Sequence, residues 1–128
     1  MADRIRVVIA DDQPLVRSAL RLILEGDPEL TVLGEAADGQ GALDAARRLR
    51  PDIILLDLHM PGRDGVWASE RISELAPDVK VLVLTAFDTD RLVASALRAG
   101  AVGFLLKDSS PEQILEAVRT AADGERPF

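Results

Sequence analysis

The 128-residue sequence predicts an α/β domain: a doubly wound, five-stranded parallel sheet in strand order 2-1-3-4-5. Three observations carry this reading. Apolar runs of strand length alternate five times with helical patterns about a dozen residues long, as βαβ units with right-handed crossovers do. The runs are rich in Val, Ile and Leu without polar alternation, as strands buried on both faces are. Three of the runs end on an acid or a lysine and a fourth on a threonine, so one edge of the sheet collects polar groups.

The elements follow in order. A first strand over 5–10 runs into Asp11-Asp12, and Pro14 suits the first turn of a helix over 14–25, with Asp12 or Gln13 before it. The second strand, 31–36, mixes in Thr31, Gly34 and Glu35, which marks an edge position, and the order 2-1-3-4-5 supplies one. A helix over 39–49 leads to a third strand, 53–57, ending on Asp57. The next helix, 64–75, stops before Pro77; Val66, Ile72 and Leu75 define its core stripe, with Trp67 half-exposed at the edge. The fourth strand, 80–85, ends on Thr85, and the helix over 89–99 is followed by Gly100 as a C′ residue. The fifth strand, 103–107, ends on Lys107, and Ser110-Pro111-Glu112-Gln113 reads as a capping box opening a helix over 111–122. Strands 1 and 3 then meet at the switch point, outside whose carboxyl ends open α/β sheets place their ligand crevice.

Composition narrows the function. With a formal net charge of -7, the surface repels a phosphate backbone, which argues against nucleic-acid binding by this segment. Arg47, Arg48 and Arg50 sit near a helix end, where cations complement the dipole, and read as a solvated face. The absence of cysteine removes disulfides, thiolate metal sites and cysteine nucleophiles. No signal-peptide pattern opens the chain and no apolar run approaches the roughly 18 residues of a membrane span, so the expectation is a soluble, cytoplasmic protein with no membrane partner. Residues 1–123 form the expected domain, and 124–128 read as the start of a linker to something longer.

At the predicted edge, Asp11, Asp12 and Asp57 lie close together and repel, so each titrates upward without a counter-charge. A hard divalent cation resolves the repulsion, and Mg²⁺ favours one or two carboxylates with waters and phosphate oxygens. A carboxylate left partly free beside it is a nucleophile toward phosphorus, forming an aspartyl phosphate. Thr85 and Lys107 stand where they can hydrogen-bond and neutralise phosphoryl oxygens. Each residue also has a plainer reading: Asp12 as a helix N-cap, Lys107 as a solvated strand end, Thr85 as β-branched filler. Four strand ends converging on one chemistry favour the functional one.

These residues, with Asp57-Leu58-His59-Met60-Pro61-Gly62, Asp64-Gly65 and Thr85-Ala86, resemble the response-regulator receiver domain of two-component signalling, over about residues 4–123. The resemblance implies a flavodoxin-like fold and a phosphoacceptor at Asp57. It further implies Mg²⁺ held by Asp11, Asp12, Asp57 and the backbone carbonyl of His59, and phosphoryl contacts from Thr85 and Lys107. The stretch from Gly100 to Asp108 and the terminal Gly124-Glu125-Arg126-Pro127 look most like the subfamily whose receivers precede a helix-turn-helix DNA-binding domain. The implied partners are a sensor histidine kinase and, only through that absent output domain, DNA. The expected product is a conformation: the domain catalyses its own phosphorylation and dephosphorylation and is not an enzyme acting on a separate substrate.

Receivers of this kind switch through the strand-4 threonine and a strand-5 aromatic, here Thr85 and Phe104. Phe104 has no hydroxyl, so packing alone balances its inward and outward rotamers; the alternative is a fixed core residue. Phe87 at the pocket mouth is expected to limit water access and slow autodephosphorylation. His59 is either a solvated loop imidazole or, less simply, a proton-transfer group. The Lys107–Asp108 bond is expected to be trans, since a cis bond before a non-proline costs about 2.5–4 kcal/mol. The first helix carries more apolar residues than one face needs (Leu15, Val16, Ala19, Leu20, Leu22, Ile23, Leu24), and the fifth is similar, which predicts a homodimer face built from these two helices or simply a wide core stripe.

Three other classes compete. A haloacid-dehalogenase-type phosphohydrolase needs a second aspartate two residues after the first, where this chain has His59. A nucleotide-binding domain needs a Gly-x-Gly-x-x-Gly or Walker motif, and none follows a strand. A pseudo-receiver acting only as a protein-interaction module typically lacks part of the acid cluster or the lysine, and both are present here.

Overall fold

The computed structural model describes residues 4–60, 64–86 and 91–123. Its elements alternate strictly: β1 (Ile5–Ala10), α1 (Pro14–Glu25), β2 (Leu30–Ala36), α2 (Gly39–Leu49), β3 (Ile53–Asp57), α3 (Gly65–Leu75), β4 (Lys80–Thr85), α4 (Arg91–Arg98), β5 (Gly103–Leu106) and α5 (Pro111–Ala122). The strands form one parallel sheet in the order β2-β1-β3-β4-β5, the flavodoxin-like arrangement. None of its helices is long and apolar enough to cross a membrane among the described residues.

The period-2 geometry of the strands divides the core into two layers. Val8, Ala10, Ile54, Leu56, Val81 and Val83 face α2, α3 and α4, packing on Ala42, Leu43, Ala46, Ala68, Ile72, Val93 and Ala96. Val7, Ile9, Ile53, Leu55, Leu82, Leu84 and Leu105 face α1 and α5, packing on Leu20, Leu24, Ile114 and Val118. Each fully buried Val, Leu or Ile side chain contributes about 1.5–3 kcal/mol relative to exposure. This double burial is why the inner strands carry no polar alternation. β2, which pairs only with β1, is the polar edge strand, and its ladder shifts register between Val7 and Val8.

Register is what builds the polar edge. Ala10 pairs with Leu56, so Asp11 and Asp57 follow side by side. Asp57 pairs with Leu84, which brings Thr85 next in line, and Thr85 pairs with Leu106, which places Lys107 just beyond. The strand ends therefore converge as their spacing predicts.

Several local expectations are met and others are shifted. Pro14 opens α1 and the capping box at Ser110 and Gln113 is complete, with both bonds present. Gly100 follows α4 at φ 116, and a Cβ there would lie 2.1 Å from Ser73 Oγ, so glycine is required twice over. Asp64 is the N-cap of α3, its side chain accepting from Trp67 N–H, so the helix starts one residue later than predicted. β2 starts at Leu30 and β5 ends at Leu106, each one residue from its expected bound; residues 89 and 90, expected to open the fourth helix, lie outside the described residues. The described residues contain no cis peptide bond.

The expected core stripe of α3 holds at Ile72, which is buried, and at Val66, which packs against the core, but not at Leu75. Leu75 is 50% exposed, and the buried positions are Gly65, Ala68, Ser69 and Ile72. A Cβ on Gly65 would stand 2.4 Å from Asp57 O and 2.7 Å from Leu58 Cα. The helix start lies so close to the end of β3 that only small residues fit beneath it, and this close approach sets the buried face. Trp67 is half-buried, as expected for a packing residue.

The apolar surplus is unequal. On α1, Leu15 is 82% and Leu22 is 77% exposed. On α5, Ile114 and Val118 are buried while Leu115, Ala117 and Ala121 lean on the same core, which is the wide-stripe alternative. Arg119 of α5 pairs with the buried Asp27 that follows α1, and so joins the two helices.

Candidate functional site

At the carboxyl edge of the sheet, Asp11, Asp12 and Asp57 each offer one oxygen, and the three oxygens lie within 4.8 Å of one another. Asp11 is 0% and Asp57 is 1% exposed. Carboxylates this close and this dry are held by what surrounds them. Asp11 Oδ1 accepts from Gln13 N–H at 2.9 Å and Asp57 Oδ1 from His59 N–H at 3.1 Å. Lys107 Nζ stands 3.0 Å from Asp11 Oδ2 and 3.3 Å from Asp57 Oδ2, an ion pair with both. Both Oδ2 atoms are buried, and Lys107 Nζ is the group that faces them.

Burial pushes the Asp57 carboxyl above its ordinary range; the His59 N–H opposes this, the Asp11 charge adds to it and Lys107 opposes it. For Lys107, burial works against the charge, but the two carboxylates outweigh it and hold the ammonium above its usual range. The corner thus sets the Lys107 ammonium against three acids, with negative charge in excess. Oxygen donors in that arrangement suit a hard divalent cation, which needs several oxygen ligands drawn close together.

The predicted residues assemble unequally. Asp11, Asp12, Asp57 and Lys107 are brought together. Thr85 is fully buried at the end of β4, and its backbone carbonyl accepts from Lys107 N–H at 2.8 Å, which ties the two strand ends. Asp12 is not the helix cap: Gln13 is the N-cap residue and makes no side-chain cap bond. The loop beyond Asp57 is returned to the site by Gly65 N–H, which donates to Leu58 O at 3.2 Å. His59 has an exposed side chain at the corner's rim. Phe104 does not enter the corner and is not a fixed core residue; it lies on the outer side of β5, 42% exposed. Phe87, Pro61 and Gly62 lie outside the described residues.

Two contributions escape sequence reasoning. Gly65 stands in the motif that carries the resemblance, but its role, the close passage of α3 against Asp57, was not read from it. Arg17 donates from Nη1 to the backbone carbonyl of Asp11 at 2.7 Å. Its only signal is an arginine one turn into the helix that follows the two acids, with Arg21 one turn further on.

Residues 7–119 match the response regulator receiver domain. The chain is 46% identical over 126 residues to the uncharacterized transcriptional regulatory protein YxjL of Bacillus subtilis, covering 98% of this chain and 58% of that protein. To the nitrate/nitrite response regulator protein NarP of Escherichia coli it is 43% identical over 123 residues, covering 96% of this chain and 57% of NarP. It thus spans a little over half the length of these curated relatives. Among solved structures, the signal receiver domain of the putative response regulator NarL from Mycobacterium tuberculosis superposes with a TM-score of 0.92 at 39% identity, covering 97% of this chain and 100% of that one. Sheet order, acid corner and sequence agree: the chain belongs to the response regulator receiver domain family of two-component signalling, among relatives that are transcriptional regulators.

Proposed function

We propose that this domain is a phosphorylation switch in which Asp57 takes a phosphoryl group from a sensor histidine kinase. The observation that carries the reading is the buried Asp57 carboxylate at the end of β3, crowded by Asp11 and Asp12 and faced by Lys107 Nζ 3.3 Å from its Oδ2. A carboxylate oxygen of Asp57 forms the new O–P bond as the P–N bond of the phosphohistidine breaks, the electron pair leaving on the imidazole nitrogen. Lys107 neutralises the phosphoryl oxygens, and the Thr85 hydroxyl donates to one of them. Asp11, Asp12, Asp57 and the carbonyl of His59 would hold Mg²⁺. When bound, the ion offsets the crowded negative charge of carboxylates and phosphoryl group. Asp11 keeps Lys107 oriented between phosphorylations through its 3.0 Å contact.

In this reading the product is a conformation. Thr85 and Phe104 shift together, and the exposed Phe104 ring is the outward state of a two-state equilibrium displaced by a few kcal/mol. The receiver covers residues 1–123, with 124–128 beginning a linker to an output domain that alone meets DNA. The protein works in the cytoplasm, acts on no separate substrate, and pairs as a homodimer through α1 and α5. The complete acid set and lysine leave no observation that favours a pseudo-receiver.

Intact mass after incubation with acetyl phosphate tests the chemistry. Wild type gains one phosphoryl group only with Mg²⁺, and Asp57→Asn gains none. A folded, Mg²⁺-supplied wild type without an adduct overturns the reading.

A further inference from the structure

The firmest outside hold on the acid corner comes from α1. Arg17 Nη1 donates to Asp11 O at 2.7 Å, while its Nε donates to Glu35 Oε1 at 3.1 Å, near the end of β2. Glu35 is itself braced from the other side: Arg21 Nη1 donates to its Oε2 at 2.6 Å. The Arg17 side chain is only 19% exposed. The backbone of Asp11 is therefore pinned at both ends of the residue, since its N–H donates to Ala36 O at 3.0 Å and its carbonyl is held by Arg17. Asp12 follows through that same peptide group.

We infer that Arg17, set in place by Glu35, is a positioning residue that fixes the Asp11–Asp12 pair and thereby sets the affinity of the corner for a divalent cation. This rests on the reading of the corner as a cation-dependent phosphoryl acceptor. The planar guanidinium reaches a carbonyl and a carboxylate at once, which an ammonium on a flexible stem does not do with fixed geometry. Outer partners that orient metal-ligating groups typically change affinity by about 10–100-fold when removed.

Charge alone makes the opposite prediction. Arg17 is a cation beside a cation site, so deleting its charge strengthens Mg²⁺ binding if only the field matters. Positioning says that deletion weakens it. Calorimetric titration of the 128-residue chain with Mg²⁺ separates the two, with thermal unfolding in chelator as the folding control. Arg17→Gln is expected to weaken Mg²⁺ binding about 10-fold, and Arg17→Lys, which keeps the charge and loses the fork, to weaken it too. Arg71→Gln, which removes a cation paired with Glu74 on α3 and touches neither Asp11 nor Glu35, stays within about twofold of wild type. Acetyl-phosphate labelling of Arg17→Gln recovers at saturating Mg²⁺. Wild-type or tighter binding by Arg17→Gln overturns the inference and leaves the phosphoryl-acceptor reading standing; a wild type that binds no Mg²⁺ overturns both.

Discussion

Asp57 is where burial and charge meet most sharply. Its carboxyl is raised above the ordinary value of 3.8, first by burial and then by Asp11, so folding favours its protonated form. A raised acid contributes stability below its ordinary pKa and loses that contribution as pH climbs through the raised folded value. Without Mg²⁺, Asp57→Asn removes this loss: the variant is expected to unfold at a higher temperature than wild type at pH 7, and the gap closes toward pH 4. Thermal unfolding of both proteins between pH 4 and 8 checks it, and a variant less stable at pH 7 would mean that the Lys107 contact outweighs burial. The identity of this residue was legible at once, since an acid closing an all-apolar run has few structural uses. The hold of Arg17 on the neighbouring Asp11 was not, because it runs through a backbone carbonyl that a pattern of side chains does not encode.

At the scale of elements, the strands and helices were legible because each carries its own periodicity and punctuation, from Pro14 to the Ser110 capping box. The face that α3 buries was legible only in part. Of Val66, Ile72 and Leu75, Ile72 is buried, Val66 packs against the core and Leu75 is half-exposed; at the helix start the packing is decided by how closely the backbone can approach Asp57, and the small residues Gly65 and Ala68 fill it. Intrinsic propensity favours alanine over glycine in a helix by about 1 kcal/mol. Gly65→Ala is nevertheless expected to destabilise the domain by about 1–3 kcal/mol, because the added carbon meets backbone atoms that cannot swing aside. Acetyl-phosphate labelling should slow with it, since the displaced carbonyl belongs to Asp57. A Gly65→Ala protein that is as stable and as reactive as wild type would show that α3 has room to shift.

For the whole molecule, the two-layered core explains why the sheet order could be read from the sequence, and the surface explains what could not. Counting apolar residues made α1 and α5 look equivalent; three-dimensional packing leaves the surplus on α1, at Leu15 and Leu22, two turns apart. If these leucines serve the proposed homodimer, Leu22→Glu shifts the monomer–dimer equilibrium at least about tenfold toward monomer, equivalent to about 1.4 kcal/mol. Its folding stability changes by no more than about 0.5 kcal/mol, as for other exposed sites. Sedimentation velocity across a concentration series reads the first and thermal unfolding the second; unchanged association would return α1 to the status of a solvated helix.

The register that aligns the strand ends also fixes when the corner exists. In chain order the acids come first: Asp11 and Asp57 follow β1 and end β3, while the ammonium that offsets them stands just beyond β5, the last strand. Any state in which β1 and β3 are paired and β5 is not holds these carboxylates together without Lys107, and like-charge repulsion disfavours it. If Asp57 is the phosphoryl acceptor proposed, its surroundings are complete only when the last strand is in place, so reactivity reports on the whole sheet.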